Sequence, residues 1–427
     1  MFLKKSFLLL FIQALAFGLL VELYVLTVDS VSEFPERTDF YKFYKSTRFF
    51  MEGENIYAPV SYDPPVEYLN KLSEKAKATM KTLHPNLNSP LYTLFIVPFG
   101  TISYRSAFWA WSIFSLFFGL VAVSLMDYCV TSHNHRTPRY VMLWIILLGY
   151  YPTLMNIRLG QFGLFLLGFI ALIWLTSRKG KYRLAGIILG IAISLKIFVG
   201  LFLIFFAARK LWRVVVWATS SFILCNLIGL LIFGPAVYKQ YLVMLGLTPL
   251  YVNASWNASF TGFFTRIFGG AENTPMVAAP MVAYGLCYSF SLLFVLGLIW
   301  LALPRHREFS PDRFNFGFSF TIVAMLLISP FGWMYYFPSL VIPLLVLWRA
   351  LSARRFSDLY KFMVVIAWVL SSIPTVLVNS EETALNEPII WFTSAGYYFY
   401  ALLAFGVLIL VISSRLHTGE QLPCRGA

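Results

Sequence analysis

Charge is what this chain has least of. Aspartate, glutamate, lysine and arginine together make up 12% of its 427 residues, where a soluble domain carries about a quarter. So little charge excludes an ordinary water-soluble globule. Histidine (5 residues) and cysteine (4) are scarce as well. Cys129, Cys225, Cys287 and Cys424 lack metal-ligand spacing and read as free thiols. The histidines all fall in predicted loops, which argues against a histidine-centred mechanism. No P-loop, dinucleotide motif, Ser-His-Asp set or His/Cys metal cluster is present. Acids are fewer than bases, 19 against 33, for a net charge of +14. That excess does not imply nucleic acid as a partner. The bases sit in short loops between apolar runs, which is the positive-inside pattern of membrane proteins.

Apolar residues, in contrast, make up 59% of the chain, and mean hydropathy is +0.73. Runs near twenty residues recur along its whole length, each enough to cross a hydrocarbon core of about 30 Å. Backbone polar groups in lipid must bond internally, and these runs do not alternate as barrel strands do. The expected fold is therefore an all-α polytopic membrane protein. Residues 1–427 form one integral domain of about 10–12 transmembrane or re-entrant helices, with further helices in the outer loops.

Lys4 and Lys5 before a long apolar run read as an uncleaved signal anchor, with the N-terminus cytosolic. The first span, about 6–28, leaves residues 29–104 outside. Later spans are expected near 105–127, 139–155, 162–176, 214–234, 277–303, 314–329, 337–349, 361–378 and 389–413. A His- and Arg-bearing loop at 133–139, then Arg305, Arg307, Arg313, Arg354 and Arg355, lie inside with both termini. Residues 235–276 form a second long outer loop, and 379–388, with Glu381, Glu382 and Glu387, a third. The outer loops hold 13 of the 19 acids, nine of them in the first. Polar-substrate chemistry is therefore expected at the outer face, capped by 29–104 and 235–276. Between Arg178–Arg183 and Arg209–Arg213 lies an apolar segment interrupted by Lys196. It is either a re-entrant hairpin, with both basic clusters cytosolic, or one span with a basic outer loop.

Several outer residues carry candidate chemistry. Asp39, near the end of the first span, suits a general base for a hydroxyl; it equally suits an interfacial acid paired with Arg37 or Lys42. Lys196 is an ionisable group inside an apolar run and so a functional candidate, with snorkelling as the plain alternative. Arg266 offers a fixed charge for phosphate or an anchor at the headgroups. Ser329-Pro330-Phe331-Gly332-Trp333-Met334-Tyr335-Tyr336 forms an outer turn whose aromatics suit sugar stacking or an interfacial belt. Gln161, after Gly160, faces outward. Ser89-Pro90-Leu91-Tyr92 opens a short helix. The Asn253 and Asn257 sequons carry no weight.

Together these segments resemble glycosyltransferase family 87, a group of the GT-C superfamily that includes polyprenol-phosphate-mannose-dependent α-mannosyltransferases. The resemblance runs over about 35–350. It rests on Asp39, Tyr44, Gly53 and Tyr57; on Ser89-Pro90-Leu91-Tyr92; and on Gly160-Gln161 followed by Ala185-Gly186…Gly190…Lys196. It continues in Asn257-Ala258-Ser259…Gly262…Arg266 and in Ser329-Pro330…Trp333. There are departures. Ile197 stands where the family often has proline. Met334, Tyr335 and Tyr336 follow the turn where it often has histidine, so that role is missing or is taken by a tyrosine. A lysine-rich insertion occupies about 66–87.

The resemblance implies an inverting hexosyltransferase, mannose being the expected sugar. Its donor would be a polyprenyl-phosphate sugar and its acceptor a lipid or glycan hydroxyl on the outer face, with membrane lipids around it and no cofactor or metal. The expected setting is a bacterial inner membrane. Asp39 would be the catalytic base, and Lys196 and Arg266 would hold the donor phosphate. Tyr44, Tyr57, Tyr92, Gln161, Asn257, Trp333, Tyr335 and Tyr336 would bind sugar or acceptor. A transporter or flippase of a lipid-linked sugar, and an assembly protein without a substrate, are the competing readings.

Overall fold

The computed structural model describes residues 2–58, 60, 86–130, 140–246, 252, 254–269, 277–304, 311–353, 356–375 and 396–418. The loop at 133–139, most of the insertion at 66–87, Asn253, Arg305, Arg307, Arg354, Arg355, Cys424 and the acidic loop 379–388 lie outside these. Every regular element among the described residues is helical. The helices are α1 (Phe2–Ser32), α2 (Phe40–Met51), α3 (Pro90–Gly100), α4 (Tyr104–Val130), α5 (Tyr140–Leu148), α6 (Tyr151–Leu159), α7 (Gly163–Arg178) and α8 (Tyr182–Leu195). They continue with α9 (Leu201–Ala208), α10 (Trp212–Gly246), α11 (Phe260–Phe268), α12 (Pro280–Ala302), α13 (Pro311–Ile328), α14 (Val341–Ala353), α15 (Asp358–Leu370) and α16 (Tyr397–Thr418). Among the described residues six helices are long and apolar enough to cross a membrane. A seventh crossing comes from α5 and α6 if that pair, bent by 64°, is one broken span. The protein is an all-α polytopic membrane protein.

Burial sorts the helices into an inner and an outer set. Residues 313–327 of α13 and most of α7 are buried, whereas α10, α12 and α15 expose Leu231, Met281, Tyr288 and Phe362. A water-soluble protein rarely tolerates so much exposed apolar surface; on a lipid-facing helix it is what the solvent requires. Cohesion inside lipid comes from close packing and interhelical hydrogen bonds. The α8–α10 pair shows both. A Cβ on Gly190 would stand 2.4 Å from the Ala218 carbonyl oxygen, and Ser221 Oγ donates to Ile187 O at 3.1 Å.

This pairing fixes the direction of the Lys196 segment. Gly186 lies against Val214 and Trp217, Gly190 against Ala218 and Phe222, and Asn226 Nδ2 reaches Ser194 Oγ at 3.4 Å. Both sequences therefore rise together, and α8 and α10 are parallel. The chain climbs 14 residues through α8, about 21 Å at 1.5 Å per residue. It then turns at Lys196 and returns through a 3-10 turn (Ile197–Gly200) and α9. On the way back Phe202 meets Phe318 (4.7 Å between ring centres) and Phe205 meets Phe314 (5.5 Å), so α9 descends antiparallel to α13. The segment is a hairpin, with both basic clusters at one end of the bundle and Lys196 at the other.

Three boundaries differ from the sequence expectation. The span expected over 139–155 is the bent pair α5–α6, broken at Gly149-Tyr150. Helix continues to Leu159, so the turn after it starts at Gly160. The span expected to end at 234 continues to Gly246 across a kink at Gly234 (φ 77°) and Pro235. Part of the second outer loop is therefore helix.

Candidate active site

Asp39 sits two residues after the short turn Pro35–Arg37 and directly before α2. Thr38 anchors that junction: its hydroxyl pairs with Tyr104 Oη at 2.5 Å and accepts from the Tyr41 amide. Phe40 locks α2 into the bundle, its ring 5.3 Å from Trp111 and 5.8 Å from Phe108. A carboxylate at a helix N-terminus is favoured in its charged form by the helix dipole.

The opposite wall comes from the loop between α6 and α7. Gly160 ends α6 in the left-handed conformation (φ 65°) and packs on Phe40. Only glycine adopts that backbone without strain. The next residue, Gln161, is thereby brought to Asp39, and its Nε2 donates to Oδ2 at 2.6 Å. The other carboxylate oxygen, Oδ1, accepts from Lys42 Nζ at 2.6 Å. Asp39 keeps 28% side-chain exposure, so the oriented carboxylate stays reachable.

Lys196 stands at the tip of the hairpin, 9% exposed, in an extended conformation that ends α8. Its Nζ donates to Asn88 Oδ1 at 2.6 Å and lies over the rings of Tyr92 (4.9 Å), Tyr336 (5.5 Å) and Phe162 (6.0 Å). The contacts described for this ammonium include no carboxylate. Asn88 is in turn held by Tyr57 Oη on its carbonyl (2.8 Å) and by its amide groups on Asn86 Oδ1 (2.8 Å from Nδ2). Ser89 Oγ ties the same segment to the Ser194 carbonyl at 2.7 Å. The charges of Asp39 and Lys42 act directly on Lys196, and that of Asp39 also acts on Tyr92, Tyr335 and Tyr336. These groups form one neighbourhood.

The aromatic turn supplies its third side. Phe331, Trp333 and Tyr335 stack in series at 5.5 and 6.0 Å, and Tyr335 meets Tyr336 edge-on at 4.8 Å. Asn156 Nδ2 donates to the Tyr335 carbonyl, fixing the turn against α6.

The structure thus brings together Asp39, Gln161, Lys196, Tyr92, Tyr335 and Tyr336, with Trp333 beside them. The contacts of the other four candidates are with the scaffold. Tyr44 Oη donates to the Ile102 carbonyl, and Tyr57 stacks on Tyr241 as well as holding Asn88. Asn257 is fully buried: Nδ2 donates to the Val252 and Pro330 carbonyls, and Oδ1 accepts from the Ser259 and Gly332 amides. Arg266 is 2% exposed and donates to the Ala254 and Asn257 carbonyls at 2.7 and 2.9 Å. Burial lowers its guanidinium to about 9, which leaves it charged at neutral pH. It clasps the loop that carries Trp256, whose ring lies 5.9 Å from Trp333.

Lys42 and Asn88 were not singled out from the sequence as site residues. Lys42 lies three residues after Asp39, a helical neighbour, and in the sequence reads only as a partner for the acid. Asn88 directly precedes Ser89-Pro90, but nothing local ties it to a lysine 108 positions away.

The sequence profile of glycosyltransferase family 87 matches residues 86–330, more than half of the chain. The chain belongs to glycosyltransferase family 87. It is thus a membrane-embedded glycosyltransferase, which uses a sugar donor and an acceptor. The matched range contains Gln161, Lys196, Asn257 and Arg266, whereas Asp39 precedes it and Trp333, Tyr335 and Tyr336 follow it directly. A comparison with curated protein sequences gives no match.

Proposed function

We infer that this family 87 enzyme moves a hexose, with mannose as the favoured sugar, from a polyprenyl-phosphate donor to a hydroxyl of a lipid or glycan acceptor, with inversion. The observation that carries the reading is the pairing of one reachable, oriented carboxylate with a buried lysine whose described contacts are an amide and aromatic faces. Asp39 accepts the proton of the acceptor hydroxyl as its oxygen attacks the anomeric carbon. The bond from that carbon to the phosphate oxygen breaks, and its electron pair leaves with the phosphate. Lys196 stabilises the charge that gathers there, a contribution that is largest where water is excluded. The rings of Trp333, Tyr335 and Tyr336 offer faces for the sugar. Gln161 keeps the base oriented.

The basic clusters at the opposite end of the bundle support a cytosolic position for that end by the positive-inside rule. The site then faces the outer side of the membrane, the bacterial inner membrane being the setting we favour. Donor lipid reaches it from the bilayer itself.

The test uses purified protein in liposomes with polyprenyl-phosphate mannose labelled in the sugar. The reading predicts that label passes to an acceptor while free polyprenyl phosphate accumulates in equal amount. Movement of intact donor across the bilayer without cleavage would instead make the protein a transporter.

A further inference from the structure

Lys42 has a part that the pairing with Asp39 alone does not explain. At rest both oxygens of the base are occupied, Oδ1 by Lys42 and Oδ2 by Gln161, each at 2.6 Å. A carboxylate held in this way keeps lone pairs for a substrate but is a weaker base, because the ammonium and the amide both stabilise its charged form. Gln161 is 4% exposed and its backbone N–H donates to the Asn156 carbonyl, whereas Lys42 keeps 20% side-chain exposure. Of the two partners, the lysine is the one free to move. It lies 5.7 Å from the ring centre of Phe43, which meets Tyr92 edge-on at 5.1 Å, and Tyr92 is the ring that Lys196 covers from 4.9 Å. The two ammonium groups therefore flank one pair of aromatic rings. The charge of Lys42 is also felt at Lys196.

We propose that Lys42 is a second phosphate-binding group, paired with Asp39 at rest and transferred to the donor phosphate on binding, so that donor binding itself frees the base. This rests on the polyprenyl-phosphate reading above, in which the donor carries a single phosphate. Charge balance agrees with this. With donor bound, Asp39 carries −1, the lysines +2 and the phosphodiester −1, which cancel. During transfer the acceptor oxygen bonds to the anomeric carbon and its proton moves to Asp39 Oδ1. The carbon–oxygen bond to phosphate breaks and the phosphate becomes a dianion. Neutral Asp39, two lysines and the dianion again cancel. The second positive charge is thus matched to the charge that develops in the transition state, where stabilisation accelerates the reaction.

The test is binding of farnesyl phosphate, a short polyprenyl monophosphate, to the purified protein by titration calorimetry at neutral pH. The proposal predicts that Lys42→Met weakens binding about tenfold and that Lys42→Arg restores most of it. It further predicts that Asp39→Asn tightens binding several-fold, because the competing carboxylate is gone, and that this gain disappears in Lys42→Met/Asp39→Asn. Melting temperatures of the variants check that each is folded. If Lys42 only supports Asp39, Lys42→Met binds farnesyl phosphate like the wild type and the gain of Asp39→Asn persists in the double variant, which overturns the proposal while leaving the donor reading intact. A wild-type protein that does not bind farnesyl phosphate overturns the donor reading and the proposal with it.

Discussion

Gly160 packs so closely on Phe40 that a methyl group at its α-carbon would stand 2.4 Å from Phe40 Cβ. That contact joins the end of α6 to the start of α2 and sets Gln161 beside Asp39. Gly160→Ala brings both a clash and a strained left-handed backbone, which costs on the order of 1–3 kcal/mol. Thermal unfolding in detergent should show a lower melting temperature, and sugar transfer should fall more than the loss of folded protein explains.

Gln161 donates to Asp39 and, on the proposed reading, acts on the reaction through it. A hydrogen bond to a charged group contributes about 1.5–3 kcal/mol, so Gln161→Ala should lower kcat by about tenfold to a hundredfold. The melting temperature should fall as well, and the loss of kcat should exceed what the loss of folded protein explains. Single-turnover kinetics with excess enzyme separates this loss from any effect on product release.

Asn257 and Arg266 behave differently. Each fixes backbone carbonyls in the loop against the aromatic turn, so Asn257→Ala leaves buried groups without partners, at about 1–3 kcal/mol each. Asn257→Ala and Arg266→Lys should both unfold at lower temperature. The protein that remains folded should keep its KM for the donor, which steady-state assays below the melting transition will show.

Lys196 is placed by the pairing of α8 with α10. Gly190→Leu forces a side chain against the Ala218 carbonyl, an overpacking that costs about 1–3 kcal/mol. Because the hairpin tip moves with α8, transfer should drop at least tenfold although Lys196 itself is unchanged. Gly200→Ala, whose Cβ would meet Ile193 Cγ2 at an ordinary contact distance of 3.9 Å, is the matched control and should stay close to wild type.

Much of this architecture was legible in the sequence, because lipid imposes a strong and local rule. Apolar runs of fixed length announce helices, and one lysine inside such a run marks a segment that is either a hairpin or a single span, which the α8–α10 pairing decides. Asp39 and Gln161 stood out as polar residues at the mouths of spans. Other features depend on contacts between distant segments. Gly234-Pro235 reads locally as a helix end, yet α10 resumes beyond the kink, with Tyr238 bonded back to the Asn226 carbonyl. Arg266 reads locally as a free cation for phosphate. Which carbonyls it would hold depends on how the loop at Ala254–Asn257 folds back over α11. Lys42 looked like a mere partner of Asp39, since its neighbourhood with Lys196 arises only when α2, α3 and α8 converge.

The central claim is that Asp39 accepts the acceptor's proton during transfer from a lipid phosphate. The most direct measurement compares wild type with Asp39→Asn, both folded and reconstituted, for release of polyprenyl phosphate from a labelled donor in the presence of acceptor. Release and sugar transfer should fall together by about a thousandfold or more in Asp39→Asn, while farnesyl phosphate still binds. Equal rates in the two proteins would contradict it.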